Sequence, residues 1–539
     1  MRALKSLFFR RAAATDPHFI RNAVAVAAAI GLVIAFIAML QQAAKYVEIP
    51  IGCDDFGYLR QARLFVQHGP AGGLATAIAD PLTLAVVELA KATGESPEAW
   101  QEAVAPHCHH YKPAVDRVVL QYPPGTGALL SVFPEGMRGR LLTRVLALAL
   151  LAGLLAASLR SRTILGTVAA GALGVGLFRT LGWNAVSPSI PASLAAAVAL
   201  GWLVAEKLDF SGRPTKSEWH ALAGLVLGLS VAVRIPNGFM LAGFAACYGA
   251  AFLLRPSPTR LVAPAAFAGT FAFGLLPVLL ANAINAGSLF ATTYSTVDAA
   301  PPVLDAERLT AGLQYFLIEH DRIGYAVGSA ILLLVVLAVV QLRRPTGPSG
   351  FVLVIAGVNL VTNLGYFVLH DPRAPYYPIP LAAFVATAAT FALRRRAEQG
   401  LSGLVPLSQG EVRLRRIAGG VALVIALVAS AVVRTPVSPL FGPAGAHRAF
   451  DARTIVWADL TTGFFHYFQG RQASKLAVAA PAMQDRLVEA AARDGYAQVL
   501  IVDSPVGAAL ATRLEREGRL VPYGQAYGYD VYAVVPRHR

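Results

Sequence analysis

Residues 23–40 read AVAVAAAIGLVIAFIAML, a stretch without a charged or hydrogen-bonding side chain. At 1.5 Å of rise per residue, a run of this length reaches across a hydrocarbon core about 30 Å thick, and only a helix or a closed barrel satisfies the backbone there. With its flank it forms a span near 23–44. Similar runs recur near 141–159, 163–182, 189–205, 219–235, 237–254, 261–284, 323–342, 351–369, 377–393 and 417–433. The whole chain is 56% hydrophobic and 14% charged, well below the roughly 25% charge of a soluble domain. The expected fold class is an all-α polytopic membrane domain of about eleven transmembrane helices over residues 1–433, followed by a small C-terminal α/β domain over 434–539. The first run is followed by QQAAKYVEIP (41–50), which has no small-residue cleavage pattern, so it is expected to be an uncleaved first helix.

The formal net charge is +15, a value that in a soluble protein would raise nucleic-acid binding. Its distribution excludes that reading. The basic residues fall in alternate connections: Arg2, Lys5, Arg10, Arg11 and Arg21; Arg160 and Arg162; Lys207, Arg213 and Lys216; Arg255 and Arg260; Arg343 and Arg344; Arg394, Arg395, Arg396, Arg413, Arg415 and Arg416. The short connections between hold little more than Arg179, Arg234 and Arg373. This bias marks cytoplasmic loops. It puts the N-terminus inside and, with an odd number of spans, the C-terminus outside.

Two outward regions are too long for plain loops: 45–140 and 434–539. In the second, PAMQDRLVEAAARDG (481–495) spaces Met483, Leu487 and Ala491 as a helix, with Gly495 as its stop. AQVLIVD (497–503) and YDVYAVV (529–535) read as strands. Ser504 and Pro505 begin a helix that runs to about Glu517 and stops at Gly518. In TTGFFHYFQGRQASK (461–475) the aromatics and Arg471 either approach an acceptor or form a turn packed against the membrane domain.

The first outward region carries the sharpest chemistry. IGCDDFGY (51–58) sets Asp54 and Asp55 side by side directly after the first span. Read structurally, one of them caps the helix FGYLRQARLFVQHG (56–69), lying on the membrane surface. Read chemically, they supply a general base or a metal ligand. Gln121-Tyr122-Pro123-Pro124-Gly125 then breaks the chain before a short apolar stretch, TGALLSVFP (126–134), expected to be a half-inserted helix whose N-terminus favours an anion. At the same level lie Arg234, at a break marked by Pro236 and Gly238; Tyr294, just after the seventh span; and the loop HDPRAPYYP (370–378), with His370, Arg373, Tyr376 and Tyr377. Arginine suits bidentate phosphate recognition, and an ionisable residue at a helix break is a functional candidate. The plain alternatives are an ion pair of Arg373 with Asp371 and an interfacial aromatic belt. His107-Cys108-His109-His110 offers donors for a metal, although adjacent residues converge on one ion only across a sharp turn. The competing reading is a disulfide between Cys53 and Cys108. Cys247, inside a span, should remain a buried thiol.

Taken in order, DDFGY (54–58) after the first span, YPPG (122–125) before the second and R-x-x-Y-Y-P (373–378) late in the chain resemble the GT-C superfamily. The nearest likeness is to its protein O-mannosyltransferases and the lipid A aminoarabinose transferase. The resemblance implies an enzyme of a bacterial inner membrane that takes a sugar from a polyprenyl phosphate carrier in the outer leaflet and passes it, with inversion, to a lipid, glycan or protein acceptor. It gives Asp54 the role of base and leaves Asp55 standing where relatives often have Glu. Arg234 and Arg373 would hold the carrier phosphate, and Tyr122, Tyr376 and Tyr377 would line the site, with Tyr58, Tyr294 and His370 completing the candidate binding set. Some relatives use a divalent ion at the acidic pair and others do not, so Asp54 and Asp55 are also the candidate ligands for Mg2+ or Mn2+. Two other classes stay open: a transporter or lipid flippase, and a glycan polymerase or ligase.

Overall fold

The computed structural model describes residues 17–45, 48, 52–182, 187–210, 217–254, 256–294, 300–343, 349–371, 373–400, 406–434, 450–451, 453–462, 473–526 and 528–537. Arg2, Lys5, Arg10, Arg11, Arg213, Lys216, Arg255, Arg344 and the segment 463–472 with Arg471 lie outside the described residues.

All eleven apolar runs are helical. They are α1 (Pro17–Ala43), then, after the region of residues 45–137, α6 (Arg138–Arg160), α7 (Ile164–Leu181), α8 (Ile190–Glu206), α9 (Ser217–Val233), α10 (Leu241–Leu254), α11 (Val262–Ala286), α13 (Asp321–Arg343), α14 (Ser349–Leu369), α15 (Ile379–Gly400) and α16 (Gln409–Val432). Between α11 and α13 lies the short α12 (Ala306–Gln314). Among the described residues, eight helices are long and apolar enough to cross a membrane: α1, α6, α7, α10 with the turn before it, α11, α13, α14 and α16. The other three differ for visible reasons. α8 and α9 have 17 residues each, and α15 carries Arg394, Arg395 and Arg396 before its end at Gly400. The chain is a multi-pass membrane protein.

The basic end of the bundle is tied together from within. Arg415 on α16, 2% exposed, donates to Asn22 Oδ1 (2.9 Å), Leu159 O (3.2 Å), Ser161 O (2.7 Å) and Arg21 O (3.3 Å). Arg21 in turn pairs with Glu411 at 2.6 Å. A buried guanidinium is tolerated only when its donors are satisfied, and here they lock α1, α6 and α16 at one end.

At the opposite end the region between α1 and α6 folds as α2 (Cys53–Leu74), α3 (Pro81–Lys91), α4 (Pro97–Trp100), the antiparallel pair β1 (His109–Lys112) and β2 (Arg117–Leu120), and α5 (Pro124–Ser131). α2 differs from the surface helix expected from its sequence: residues 56–62 are all buried, so its first two turns sit inside the protein. The C-terminal region forms a sheet of β3 (Thr454–Trp457), β4 (Ala473–Ser474), β5 (Ala497–Ile501), β6 (Leu520–Ala526) and β7 (Tyr529–Val534), in the order β4-β3-β5-β7-β6. The pairs β3–β4 and β3–β5 are parallel, and β7 runs antiparallel to β5 and β6. The helices α17 (Pro481–Arg493) and α18 (Pro505–Arg516) cover it. Both regions close over one hydrophobic core, in which Leu82, Val86, Trp100 and Tyr111 pack with Trp457, Leu487, Leu500 and Leu514. Lys475 reaches Glu102 at 3.4 Å across the same junction.

Candidate active site

The acidic pair opens α2 without capping it. The N-cap is Gly52 (φ 80°), which makes no side-chain cap bond, and Asp54 and Asp55 lie in the first turn. Asp54 instead receives two phenol hydroxyls: Tyr122 donates to Oδ1 and Tyr376 to Oδ2 at 2.8 Å. Residues far apart in sequence therefore converge on one carboxylate. Gly57 makes the approach of Tyr122 possible, because a Cβ there would enter the Tyr122 ring. On the next residue, Tyr58 lays its ring on that of Tyr122, 4.2 Å between centres, and its hydroxyl lies beside Ser189 at the start of α8.

Tyr122 is carried in by the hairpin. Gln121 N continues the ladder onto Cys108 O (3.0 Å), and Thr293 Oγ1 donates to Gln121 O (2.7 Å). That second bond brings Tyr294 edge-on to Tyr122 at 6.4 Å. Lys112, which the sequence did not single out, donates to Tyr294 O at 2.5 Å. The expected half-inserted helix after Pro123-Pro124 is the eight-residue α5, seated against the end of α9 by a bond from Thr126 Oγ1 to Val233 O (2.9 Å).

The next residue is Arg234, extended at φ −157° between α9 and the turn that starts α10. It is 5% exposed, and its guanidinium carbon lies 4.6 Å from the Tyr377 ring centre and 5.3 Å from that of Tyr376. Such cation–π contact is favourable but leaves the charge uncancelled. Among the described residues, no carboxylate sits within ion-pair distance of Arg234. Tyr376 thus touches both charges, Asp54 with its hydroxyl and Arg234 with its ring.

The tyrosines here are cluster members, not an interfacial belt. Burial and then the Asp54 charge push the hydroxyls of Tyr122 and Tyr376 up, and burial likewise raises Tyr58 and Tyr294. All four stay protonated donors at neutral pH. Asp55 behaves unlike its neighbour. Burial first, then Asp54 and Glu48, push its carboxyl up to about 8. Glu48 itself accepts from Gly139 N at 2.9 Å.

Two candidates stand apart from Asp54. Arg373 makes the plain ion pair, with Nη2 3.5 Å from Asp371 Oδ1, while its Nε is buried without a hydrogen-bond partner. His370 stacks on Tyr366 at 4.8 Å. The cysteines are paired as Cys53–Cys108, joining residues 55 positions apart, and Cys247 is a buried free thiol. His109 and His110 are engaged elsewhere, His109 with Arg60 (3.0 Å) and His110 with Glu102 (3.1 Å) and Gln121 (2.7 Å).

The acidic pair is a poor seat for Mg2+ or Mn2+. Hard cations take several oxygen ligands. Here both Asp54 oxygens hold hydroxyls, and among the described residues no third carboxylate or imidazole brings a ligand atom within 4.8 Å of both aspartates. The arrangement fits proton transfer beside a fixed cation.

No protein-family model matches the chain, and no curated protein matches it. Among solved structures it is similar to ArnT from Cupriavidus metallidurans bound to undecaprenyl phosphate, at 12% identity and TM-score 0.43, over 88% of this chain and 96% of that one. The apo state of the same ArnT gives 12% identity and TM-score 0.41, over 85% and 94%. The Archaeoglobus fulgidus oligosaccharyltransferase, in complex with Zn and sulfate, gives 12% identity and TM-score 0.40, over 93% of this chain and 72% of that one.

Proposed function

We propose that this chain is a membrane glycosyltransferase that moves a sugar from a polyprenyl phosphate to an acceptor hydroxyl or amine at the outer face of a bacterial inner membrane. The observation that carries this reading is the pairing of opposite charges on Tyr376: its hydroxyl holds Asp54 and its ring holds the buried, uncancelled Arg234. A buried cation without a counter-ion calls for an anion, and a phosphate next to a fixed carboxylate base is the substrate chemistry that uses both. The motif order DDFGY, YPPG and R-x-x-Y-Y-P supports the same reading.

In this mechanism each Asp54 oxygen accepts one phenol bond and keeps a lone pair. The acceptor oxygen or nitrogen attacks the anomeric carbon from the side opposite the phosphate. The bond from that carbon to the phosphate oxygen breaks, its electrons remain on the phosphate, and Asp54 takes the acceptor proton. A single displacement inverts the anomeric centre. Arg234 holds the phosphate before and after it leaves, and Arg373, with its free Nε, is the second cation. The rings of Tyr58, Tyr122, Tyr294 and Tyr377 wall the sugar. Residues 1–433 form the catalytic membrane domain and 434–539 an extracytoplasmic domain.

The test compares wild type with Asp54→Asn in detergent, following release of free polyprenyl phosphate from a panel of polyprenyl phosphate sugars. Loss of a general base costs about 10²–10⁴ in rate, and Asn keeps the size of Asp. Equal turnover by both proteins would sink the role of Asp54. Failure of every donor, with lipid, glycan and protein acceptors supplied, would sink the transferase reading.

A further inference from the structure

The sharp turn that adjacent metal donors require is present at residues 106–109. His109 N donates to Pro106 O at 3.1 Å, and Cys108 takes φ +62°, a left-handed conformation uncommon outside glycine. The turn aims two consecutive side chains at one point. The Sγ atoms of Cys53 and Cys108 and a ring nitrogen of His107 all lie within 4.8 Å of one another. His107 Nδ1 is buried with no hydrogen-bond partner, whereas the rings of His109 and His110 have partners. A buried ring nitrogen left without a partner is costly unless something fills the place.

We propose that Cys53, Cys108 and His107 form a redox-gated site for a thiophilic d10 cation, Zn2+ in the first instance, which competes with the disulfide for the same two sulfurs. A dithiol opens the bridge by exchange: it passes two electrons and two protons to the protein sulfurs and becomes a disulfide itself. Zn2+ then displaces the two thiol protons, and His107 Nδ1 adds the third donor. Tetrahedral zinc sets such donors roughly 3.5–4 Å apart, so the sulfurs need only separate within the space they already share. Two thiolates and one imidazole leave a fourth position open. The site abuts the acidic pair, because Cys53 precedes Asp54 and Tyr122 Oη lies 3.7 Å from Cys108 Sγ. The bridged and metal-bound states therefore both anchor the start of α2 to the hairpin. The proposal does not depend on the transferase reading.

The test uses the full chain in detergent, free of any affinity tag. It is reduced with a trialkylphosphine, which takes an oxygen from water and does not compete for zinc as a dithiol does. Reduced wild type is expected to retain one Zn2+ per chain after desalting. Loaded with Co2+ instead, it should show thiolate-to-cobalt charge-transfer absorption. The oxidised protein should do neither. His107→Ala, whose oxidised form should keep the disulfide and the wild-type melting temperature, is expected to bind about 100-fold more weakly, at the upper end of what losing even an outer partner costs. Cys247→Ala should bind as wild type. The proposal is overturned if reduced wild type takes up no metal, if His107→Ala binds as tightly as wild type, or if binding disappears with Cys247.

Discussion

Asp54 and Asp55 are adjacent and chemically opposite. Asp54 meets two hydroxyl donors, while Asp55 is half-buried near the carboxyls of Asp54 and Glu48 and is pushed up to about 8. Unfolded, Asp55 titrates near 3.8, so between these values the folded chain holds the extra proton. Its contribution to stability is complete below about pH 4 and is lost as pH rises through about 8. The melting temperature in detergent should accordingly fall over that window, and Asp55→Asn, which mimics the protonated acid, should flatten the fall; an unchanged slope in the variant would refute the assignment. The same protonation predicts that Asp55→Asn keeps donor turnover at pH 7 within about tenfold of wild type, against about 10²–10⁴ lost in Asp54→Asn. Both aspartates, Tyr122, Arg234 and Tyr376 are legible in the sequence, because proline, glycine and doubled residues punctuate an otherwise apolar text. Lys112 and Ser189 are not. Neither stands in a motif, and each enters through a contact whose partner lies far away in sequence.

At the scale of elements, the eleven apolar runs were legible as helices because lipid-facing and protein-facing sides are both apolar, so an unbroken apolar run marks them. The hairpin β1–β2 and strands β3, β4 and β6 were not. They hold two to seven residues, too few to show alternation, and their burial is set by distant partners. The element that aligns the site is α5, and its position depends on Gly125. A Cβ there would lie 2.5 Å from Ala232 O and 2.8 Å from Val233 N, both backbone atoms that cannot swing aside. Gly125→Ala must therefore lift α5 off the end of α9, at a cost of about 1–3 kcal/mol, and Arg234 follows directly on that strained backbone. A lower melting temperature together with a raised KM for the carrier is expected. Gly153→Ala, in open space on α6, should leave both unchanged. Equal behaviour of the two variants would mean that α5 is not fixed by this contact.

At the scale of the molecule, nothing in the local pattern announces that the region between α1 and α6 and the C-terminal sheet share one core, since that fact rests on pairings across more than 300 residues, such as Lys475 with Glu102. The consequence is mechanical. β1 and β2 carry Tyr122 toward Asp54, and their outer faces, through Tyr111 and Val118, pack in the same cluster as Leu487 of α17. Leu487 is 1% exposed, so Leu487→Ala should cost about 2–5 kcal/mol and loosen a surface that the hairpin depends on. Hydrogen exchange resolves where that cost falls. If the two regions are one cooperative unit, amides of 109–112 and 117–120 lose protection in Leu487→Ala along with those of β3 and β5, and donor turnover declines although the substitution lies in a different region from Asp54. If only β3, β5 and α17 lose protection while the hairpin keeps its own, the C-terminal region is a separate body resting on the membrane domain, and donor turnover should stay at the wild-type level.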